Sequence, residues 1–321
     1  MLPDTYRAWV WTDGELPAGL ALHTRPLPVA APGDVLVRLS AIGLNPVDWK
    51  LLNIKHQHIP GVDGAGTVVA CGDGVAQQWL GRRVAWHQSL LRDGSFAEYT
   101  TLPAHALMTI PDGLDDAHAA AFPCPGLTAW QSLDKVPARP GETVLISGAG
   151  GSVGHYLLQM ALSRGFIVHT LSNPRHFERL AALGAARTLA EPADPRADWS
   201  LGEHYYAIWD AVHESRAPWL CERLRANGHL VCIQGRPEQW PCPAFGKAVS
   251  LHEVALGALH RFGDTHDWQS LTRDGEALLT RLAAGQLATE PLVSGEFETL
   301  NRDLLRLKNR DFSGKMIITL R

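Results

Sequence analysis

The stretch Thr143-Val-Leu-Ile-Ser-Gly-Ala-Gly-Gly-Ser-Val-Gly-His155 decides the fold of this chain. It begins with a short apolar run typical of a buried strand, and three glycines follow at intervals of three. Apolar residues from 156 to 162 then predict the first turns of a buried helix. Strand, glycine turn and helix open a dinucleotide-binding unit, because a pyrophosphate needs close access to the backbone and a helix N-terminus. A glycine-rich loop without a ligand is the alternative, since G-x-x-G-x-x-G is not the commoner spacing.

Strands and helices alternate after this turn. The predicted strands are Gly165–Leu171, Tyr206–Val212 and His229–Ile233, and the predicted helices are Phe177–Leu183 and Pro218–Leu224. Such alternation indicates a parallel sheet with helices on both faces. Ligands bind these sheets beyond the carboxyl ends of the strands, where the strand order reverses.

The end of the second strand points to the cofactor. An NAD-binding unit places an acidic residue there for the ribose 2′-hydroxyl, whereas this chain has Ser172 or Asn173 at that position and Arg175 shortly after. A hydroxyl, an amide and a guanidinium suit a 2′-phosphate, which a carboxylate would repel. The sequence therefore predicts NADP(H). A solvated surface arginine is the alternative role for Arg175.

The regions on either side of the alternating segment have a different pattern. Residues 1 to about 125 carry short strands punctuated by Gly and Pro, which favours a β-rich barrel-like module. These predicted strands are Asp34–Ile42, Gly61–Ala70, Gly81–Trp86 and Ser95–Thr100. The last part predicts helices at 268–284 and 297–307 and a terminal strand at 315–320. We expect that strand to return to the first module, so that residues 1–125 and 266–321 form one discontinuous domain around an inserted domain of residues 126–265.

Composition limits the possible functions. A chain of 321 residues with 45% hydrophobic residues can form one large or two medium domains. The net charge of −4 argues against nucleic acid or an anionic membrane as the main partner. Five cysteines with no C-x-x-C pair favour a reduced cytoplasmic protein over a disulfide framework. We expect neither a signal peptide nor a membrane-spanning helix.

Six ordered markers together resemble the medium-chain dehydrogenase/reductase superfamily, in particular its zinc-free quinone oxidoreductase branch. They are Ala41–Lys50, Pro60–Gly66, Gly94–Tyr99, Gly126–Ala129, the glycine turn and Gly314-Lys315. The resemblance implies an α/β fold, in which a doubly wound Rossmann sheet is inserted into a GroES-like β-rich barrel domain. It also implies an active site in the cleft between the two domains and a homodimer.

The resemblance also bears on metal binding. Zinc-dependent relatives carry Cys where this chain has Asn45 and His where it has Val62, and their neighbouring Glu corresponds to Asp63. Cys124 alone stands near the position of a remaining ligand. Because catalytic zinc needs three ligands of Cys, His or carboxylate type, no metal site is expected. Cys124 then serves as a small apolar residue.

The resemblance places Asn45 near the nicotinamide and the substrate. Asp48 is expected to be a structural partner in this loop, with a supporting catalytic role left open. Lys50 is the nearest proton donor in sequence, but a surface lysine is as consistent, and solvent can supply the proton. The implied cofactor contacts are Thr128, Gly148, Gly151, Ser152, Val153, Gly154, Ser172, Asn173, Arg175, Ile233, Gln234, Gly235 and Lys315. A salt-bridged surface residue is the alternative for Lys315. Residues 240–245 either line the substrate cleft or pack under a loop.

Three functions remain open at this stage. The first is an NADPH-dependent reductase of quinones or α,β-unsaturated carbonyls, since these acceptors take hydride without a Lewis acid. The second is an alcohol dehydrogenase that uses zinc after all. The third is a non-enzymatic cofactor-binding protein with a regulatory or structural role, because fold alone does not determine function.

Overall fold

The structure is a computed structural model that describes residues 1–14, 17–54, 56–192 and 204–320. The chain forms two compact units. Unit 1 consists of Met1–Cys124 together with Gly257–Arg321, and unit 2 is Pro125–Leu256. The α/β fold class predicted from the glycine turn and its flanking strands is confirmed.

Strands account for most of unit 1 and for the centre of unit 2. In the described part of the chain they are β1 Thr5–Trp11, β2 Leu20–Pro26, β3 Asp34–Gly43, β4 Asp63–Cys71, β5 Arg83–His87, β6 Tyr99–Pro103, β7 Met108–Thr109, β8 Thr143–Ser147, β9 Ile167–Ser172, β10 Arg187–Ala190, β11 Tyr205–Asp210, β12 Leu224–Cys232, β13 Ser250–Glu253, β14 Leu292–Glu296 and β15 Lys315–Thr319.

Helices connect these strands. They are α1 Pro46–Lys50, α2 Asp116–Ala121, α3 Pro123–Asp134, α4 Ser152–Ser163, α5 Phe177–Ala182, α6 Ala217–Glu222, α7 Leu259–Phe262, α8 Thr265–Ala283 and α9 Leu300–Asn309. Among the residues with described structure, none of these helices has both the length and the apolar character needed to cross a bilayer.

Unit 2 contains a six-stranded sheet in the order β10-β9-β8-β11-β12-β13. Every neighbouring pair in it is parallel. The chain runs outward from β8 in one direction and then outward from β11 in the other, so the order reverses between these two strands. The glycine turn follows β8 directly. It therefore lies at the reversal, where a doubly wound sheet forms its ligand crevice.

Unit 1 contains a sheet in the order β14-β15-β3-β4-β5-β7, and β6 also pairs with β3. A separate antiparallel pair is formed by β1 and β2. The terminal strand β15 pairs antiparallel with β3, as expected from the sequence, and parallel with β14. The core of this unit is built from large buried side chains of distant segments, including Trp9, Trp86, Phe96 and Phe297.

The second boundary between the units differs from the sequence-based expectation. It falls at 256/257 rather than at 265/266. The segment 257–265 belongs to unit 1 because His260 contacts two side chains there. Its ring stacks on His87 at a centroid distance of 5.5 Å and lies 4.8 Å from the ring of Trp268.

The predicted strand at 95–100 begins later than expected, at Tyr99. Before that point Ala97 forms an isolated bridge with Ala8, and the side chain of Phe96 is buried. The carbonyl of Phe96 and the N–H of Glu98 pair with β1, whereas the N–H groups of Ser95 and Phe96 donate to the carbonyls of Gly61 and Pro60.

The close approach of β3 and β4 generates a testable prediction. A Cβ added to Gly66 would lie 2.1 Å from the Arg38 carbonyl oxygen, so the backbone would have to move. We expect Gly66→Ala to lower the free energy of unfolding by about 3 kcal/mol, as an overpacked core does. Urea unfolding followed by tryptophan fluorescence measures this loss.

Gly257→Ala is the matched control, because an added Cβ there meets no atom within 4 Å. We expect its stability to change by less than about 0.5 kcal/mol or to rise slightly, since alanine restricts the unfolded chain. Equal stability of the two variants would contradict the proposed backbone contact.

Candidate active site

A buried polar cluster joins four segments of unit 1. Asn45 follows β3 and caps α1, Asp48 lies in the first turn of α1, and Asp63 begins β4. Lys315 begins the last strand. Each of these four residues is at most 3% exposed. Charged side chains are rarely buried to this extent without partners, so the hydrogen bonds among them decide what the cluster can do.

The side-chain amide of Asn45 is fully engaged as a donor. Its Nδ2 donates to the Gly43 carbonyl at 3.1 Å and to Oδ2 of Asp63 at 2.9 Å. The ammonium of Lys315 donates to Oδ1 of Asn45. Since an amide carries two N–H donors, none remains for a substrate carbonyl in this arrangement. Only the second lone pair of Oδ1 is left for a ligand.

Asp63 carries the buried negative charge at the centre of the cluster. Its carboxylate accepts from the Cys124 backbone N–H at 2.9 and 3.0 Å, and the Lys315 ammonium lies 3.8 Å from Oδ2. Burial raises the pKa of Asp63 to about 6, although Lys315 and the hydrogen-bond donors oppose that rise. Lys315 is therefore salt-bridged, but in the interior rather than on the surface.

Asp48 holds the loop that carries Asn45. One of its carboxylate oxygens accepts the backbone N–H of Asn45 at 2.7 Å, and the other accepts that of Val62 at 3.0 Å. Burial raises the pKa of Asp48 to about 7, and the negative charge of Asp63 adds to the effect. Through these bonds Asp48 joins the loop of Asn45 to the backbone of Val62.

The chemistry of this cluster does not suit a metal ion. Val62 is an apolar, buried side chain, and the amide of Asn45 is committed to Gly43, Asp63 and Lys315. No group of three or more His, Cys, Asp or Glu side chains that could hold a metal occurs within residues 1–14, 17–54, 56–192 and 204–320. Lys315 is the cation of the cluster.

Lys50 is not part of the cluster. Its side chain is exposed, and its ammonium lies 5.8 Å from the ring centroid of Trp49. The structure thus brings together Asn45, Asp48 and Lys315 from the predicted site residues of unit 1 and leaves Lys50 at the surface.

The glycine turn of unit 2 is shaped by its backbone. Gly148 has a φ of +76°, which favours glycine, and a Cβ on Gly154 would lie 2.5 Å from the Ala149 backbone. At Gly151, by contrast, an added Cβ meets only the Gly148 carbonyl oxygen at 3.7 Å, so one side of the turn is open. Gly151 also caps the twelve-residue α4 without a side-chain hydrogen bond.

This arrangement fits a dinucleotide pyrophosphate. The first N–H groups of a helix have no intrahelical partner, and here no capping side chain occupies them. Ser152, Val153 and Gly154 supply these groups, next to the open side of Gly151. A helix N-terminus of this kind attracts a negatively charged phosphate.

The last residue of β9 and the segment after it carry the side chains predicted to read the 2′-phosphate. Ser172 is buried, whereas Asn173 and Arg175 are exposed. The side chain of Asn173 accepts the backbone N–H of Arg175 at 3.1 Å, and Nε of Arg175 donates to Nε2 of His176 at 3.1 Å. A guanidinium and an amide are thus presented at the carboxyl end of β9.

The remaining predicted cofactor residues lie on other parts of unit 2. Ile233, Gln234 and Gly235 directly follow β12, and Ile233 N–H donates to the Asp210 carbonyl at 2.9 Å. Because β9, β8, β11 and β12 are parallel neighbours, the segments after them share one edge of the sheet. Thr128 is a half-buried residue of α3, whose carbonyl accepts from Ser132.

Sequence reasoning missed three side chains around this turn. Asp210 ends β11 in a buried position and accepts from Ser147 Oγ at 2.7 Å, and burial raises its pKa. A lone polar residue at the carboxyl end of a buried strand was the signal that could have indicated it. His176 and Arg179 contact Gly150 through the fold, and no spacing in the sequence indicates that contact.

The buried ion pair generates a prediction about stability. Lys315→Met leaves the Asp63 carboxylate buried without its cation, so we expect the free energy of unfolding to fall by about 3–5 kcal/mol. Adding Asp63→Asn removes the uncompensated charge and should restore at least half of that loss. Chemical unfolding of both variants measures the difference, with Lys50→Met as the control for loss of an exposed lysine.

The loss also depends on pH. The folded-state pKa of Asp63 is about 6, above the ordinary value of 3.8, so its protonation favours the folded state at low pH and this contribution disappears as pH rises. Without Lys315 the pKa rises further. The deficit of Lys315→Met should therefore be largest at high pH, shrink as the pH falls toward 6, and stay constant below the wild-type pKa of Asp63. A deficit independent of pH would show that the charge is not its cause.

The chain is similar in sequence to known oxidoreductases. Residues 31–112 match the family described as the alcohol dehydrogenase GroES-like domain. A chloroplast envelope quinone oxidoreductase homolog of Arabidopsis thaliana is 33% identical over 236 residues, covering 68% of this chain and 72% of that protein. A trans-enoyl reductase of Aspergillus clavatus is 28% identical over 334 residues, covering 91% and 90%.

A solved structure extends the similarity over the whole chain. An alcohol dehydrogenase superfamily protein from Novosphingobium aromaticivorans has a TM-score of 0.85 at 26% identity, covering 98% of this chain and 100% of that one. The chain therefore belongs to the medium-chain dehydrogenase/reductase superfamily, whose members are oxidoreductases that use a nicotinamide cofactor.

Proposed function

We propose that this protein reduces quinones or α,β-unsaturated carbonyls with NADPH and without a metal ion. Two features of the chain support the proposal: the polar and cationic segment after β9, and a catalytic-loop cluster whose cation is a lysine. The relatives named quinone oxidoreductase and trans-enoyl reductase act, by those names, on the same two classes of acceptor.

The choice of NADPH over NADH depends on charge. In this proposal the open side of Gly151 and the first turn of α4 receive the pyrophosphate. Arg175 and Asn173 then face the ribose, where a carboxylate would select NADH. The guanidinium is exposed and held through Nε by His176, so its two terminal nitrogens stay available to a phosphate. Bound NADPH would supply the hydride.

The single observation that carries the choice of acceptor is the committed amide of Asn45. This amide bonds to Lys315, Asp63 and Gly43. At the position of Asn45 a zinc-dependent relative has a thiolate ligand. Without a Lewis acid, an unactivated ketone or alcohol lacks its main source of polarisation. Quinones and enones need less polarisation, because the negative charge that develops as the hydride arrives is delocalised over the acceptor. Asn45 orients the loop in this proposal, and solvent supplies the proton.

A prediction about Arg175 tests the cofactor. We expect Arg175→Ala to raise the Michaelis constant for NADPH about tenfold to a hundredfold, the value of a charged hydrogen bond, while that for NADH changes little. Steady-state kinetics with both nucleotides measures it. Arg273→Ala, which removes an exposed arginine of α8 in unit 1, is the control and should alter neither constant. Equal effects on both nucleotides would show that Arg175 does not read the phosphate.

A panel of acceptors tests the reaction. We expect saturable NADPH oxidation with quinones and enones that a chelator leaves unchanged, and no stoichiometric zinc in the purified protein. Stoichiometric zinc together with chelator-sensitive alcohol oxidation would instead support an alcohol dehydrogenase. Nucleotide binding without turnover of any acceptor would support a non-enzymatic cofactor-binding protein.

A further inference from the structure

We propose that Arg179 is a positioning residue for the dinucleotide: it holds the Gly150 carbonyl, so that this oxygen does not turn toward the side of the glycine turn that receives the pyrophosphate. This inference rests on the proposed function insofar as a nicotinamide dinucleotide is the ligand. It concerns a residue that touches the turn and not the reacting atoms.

The guanidinium of Arg179 bridges two helices. From α5 it donates through Nη2 to the Gly150 carbonyl at 2.7 Å and through Nη1 to Nδ1 of His155 in α4 at 2.9 Å. A guanidinium has only donors, so both partners must be acceptors and the orientation is unambiguous. The planar fork of an arginine can make these two bonds at once, whereas a lysine ammonium cannot match the geometry.

The glycine turn needs such a restraint because its own side chains supply none. Gly150 and Gly151 have no Cβ, so steric barriers do not prevent the peptide between them from rotating. If that peptide flipped, the Gly150 carbonyl would turn toward the open side of the turn and repel a phosphate. The flip would also break the hydrogen bond from Gly151 N–H to the Gly148 carbonyl at 3.2 Å. The charge-assisted bond from Arg179 opposes this rotation.

His176 packs against Gly150 and restrains it further. A Cβ placed on Gly150 would lie 2.3 Å from a ring carbon of His176, so the imidazole packs directly on the glycine. The same imidazole accepts Nε of Arg175 at 3.1 Å. The start of α5 thus contacts both the pyrophosphate turn and the residue proposed to read the 2′-phosphate, but only Arg175 is exposed toward that phosphate.

Nucleotide binding distinguishes the role of Arg179 from that of Arg175. Loss of Arg179 should weaken the binding of NADP⁺ and of NAD⁺ to the same degree, because both nucleotides carry the pyrophosphate. Loss of Arg175 should weaken the binding of NADP⁺ alone. Titration of tryptophan fluorescence with each nucleotide gives the dissociation constants without any turnover. We expect Arg179→Leu to raise both constants about tenfold, and Arg179→Lys to recover part of the loss. In the reductase assay, the Michaelis constants for NADPH and NADH should rise while kcat stays nearly constant.

Arg164→Leu is the matched control. Arg164 is also half-buried in unit 2, and its Nη1 donates to the Leu133 carbonyl at 2.9 Å, away from the glycine turn. It should lower thermal stability as Arg179→Leu does and leave both dissociation constants unchanged. If Arg179→Leu does not fold, Arg179→Gln is titrated instead, because glutamine keeps a donor for the Gly150 carbonyl. Its dissociation constants should lie between those of Arg179→Lys and those expected for Arg179→Leu.

Three outcomes would overturn the inference. Unchanged dissociation constants in a folded Arg179 variant would show that the Gly150 carbonyl needs no restraint. Weaker binding of NADP⁺ alone would show that Arg179 contacts the 2′-phosphate directly. A wild-type protein that binds neither nucleotide would refute both this inference and the proposed function. A wild-type protein that binds the nucleotides but reduces no acceptor refutes only the proposed function, because the titrations still compare the variants.

Discussion

The buried carboxylate of Asp63 is the constraint on which unit 1 depends. A charge with no exposed surface must be compensated, and the compensation comes from three distant parts of the chain: Lys315 from the last strand, Asn45 from the loop after β3, and the Cys124 backbone. The same bonds that neutralise the charge therefore hold the terminal strand against the loop of the candidate active site. Stability and the shape of that loop are linked in a single cluster.

This compensation also limits the chemistry. With both N–H groups engaged, the Asn45 amide offers a substrate no new donor, and its oxygen already accepts from the Lys315 ammonium. The reduction we propose therefore relies on an acceptor that is already electrophilic. In unit 2 the corresponding constraint is on the backbone, since the turn is open on one side at Gly151, where an added Cβ would meet only the Gly148 carbonyl oxygen at 3.7 Å.

The sequence predicted the parts of the site whose geometry is local. Glycines at regular intervals between an apolar strand and an apolar helix have one common structural solution, and β8, α4 and β9 lie within a few residues of the predicted elements. Asn45 and Asp48 could be grouped because they lie three positions apart, at the N-cap and in the first turn of one short helix. Lys315 could be suspected but not placed, because its partners are far away in sequence. The boundary at 256/257 was missed for the same reason, since the ring contacts of His260 join segments that periodicity does not relate.

The amino-acid sequence by itself determined the alternation of strands and helices around the glycine turn, the glycine turn itself, the polar end of β9 and the residue types at positions 45 and 62. These depend on residue type and on spacing within one or two elements, which the printed chain contains. Only the tertiary structure decided that Lys315 is an interior cation, that both amide protons of Asn45 are engaged, and that Arg179 holds the glycine turn. Each of these facts depends on the direction of a side chain across a packed interface, and packing is a property of the whole fold.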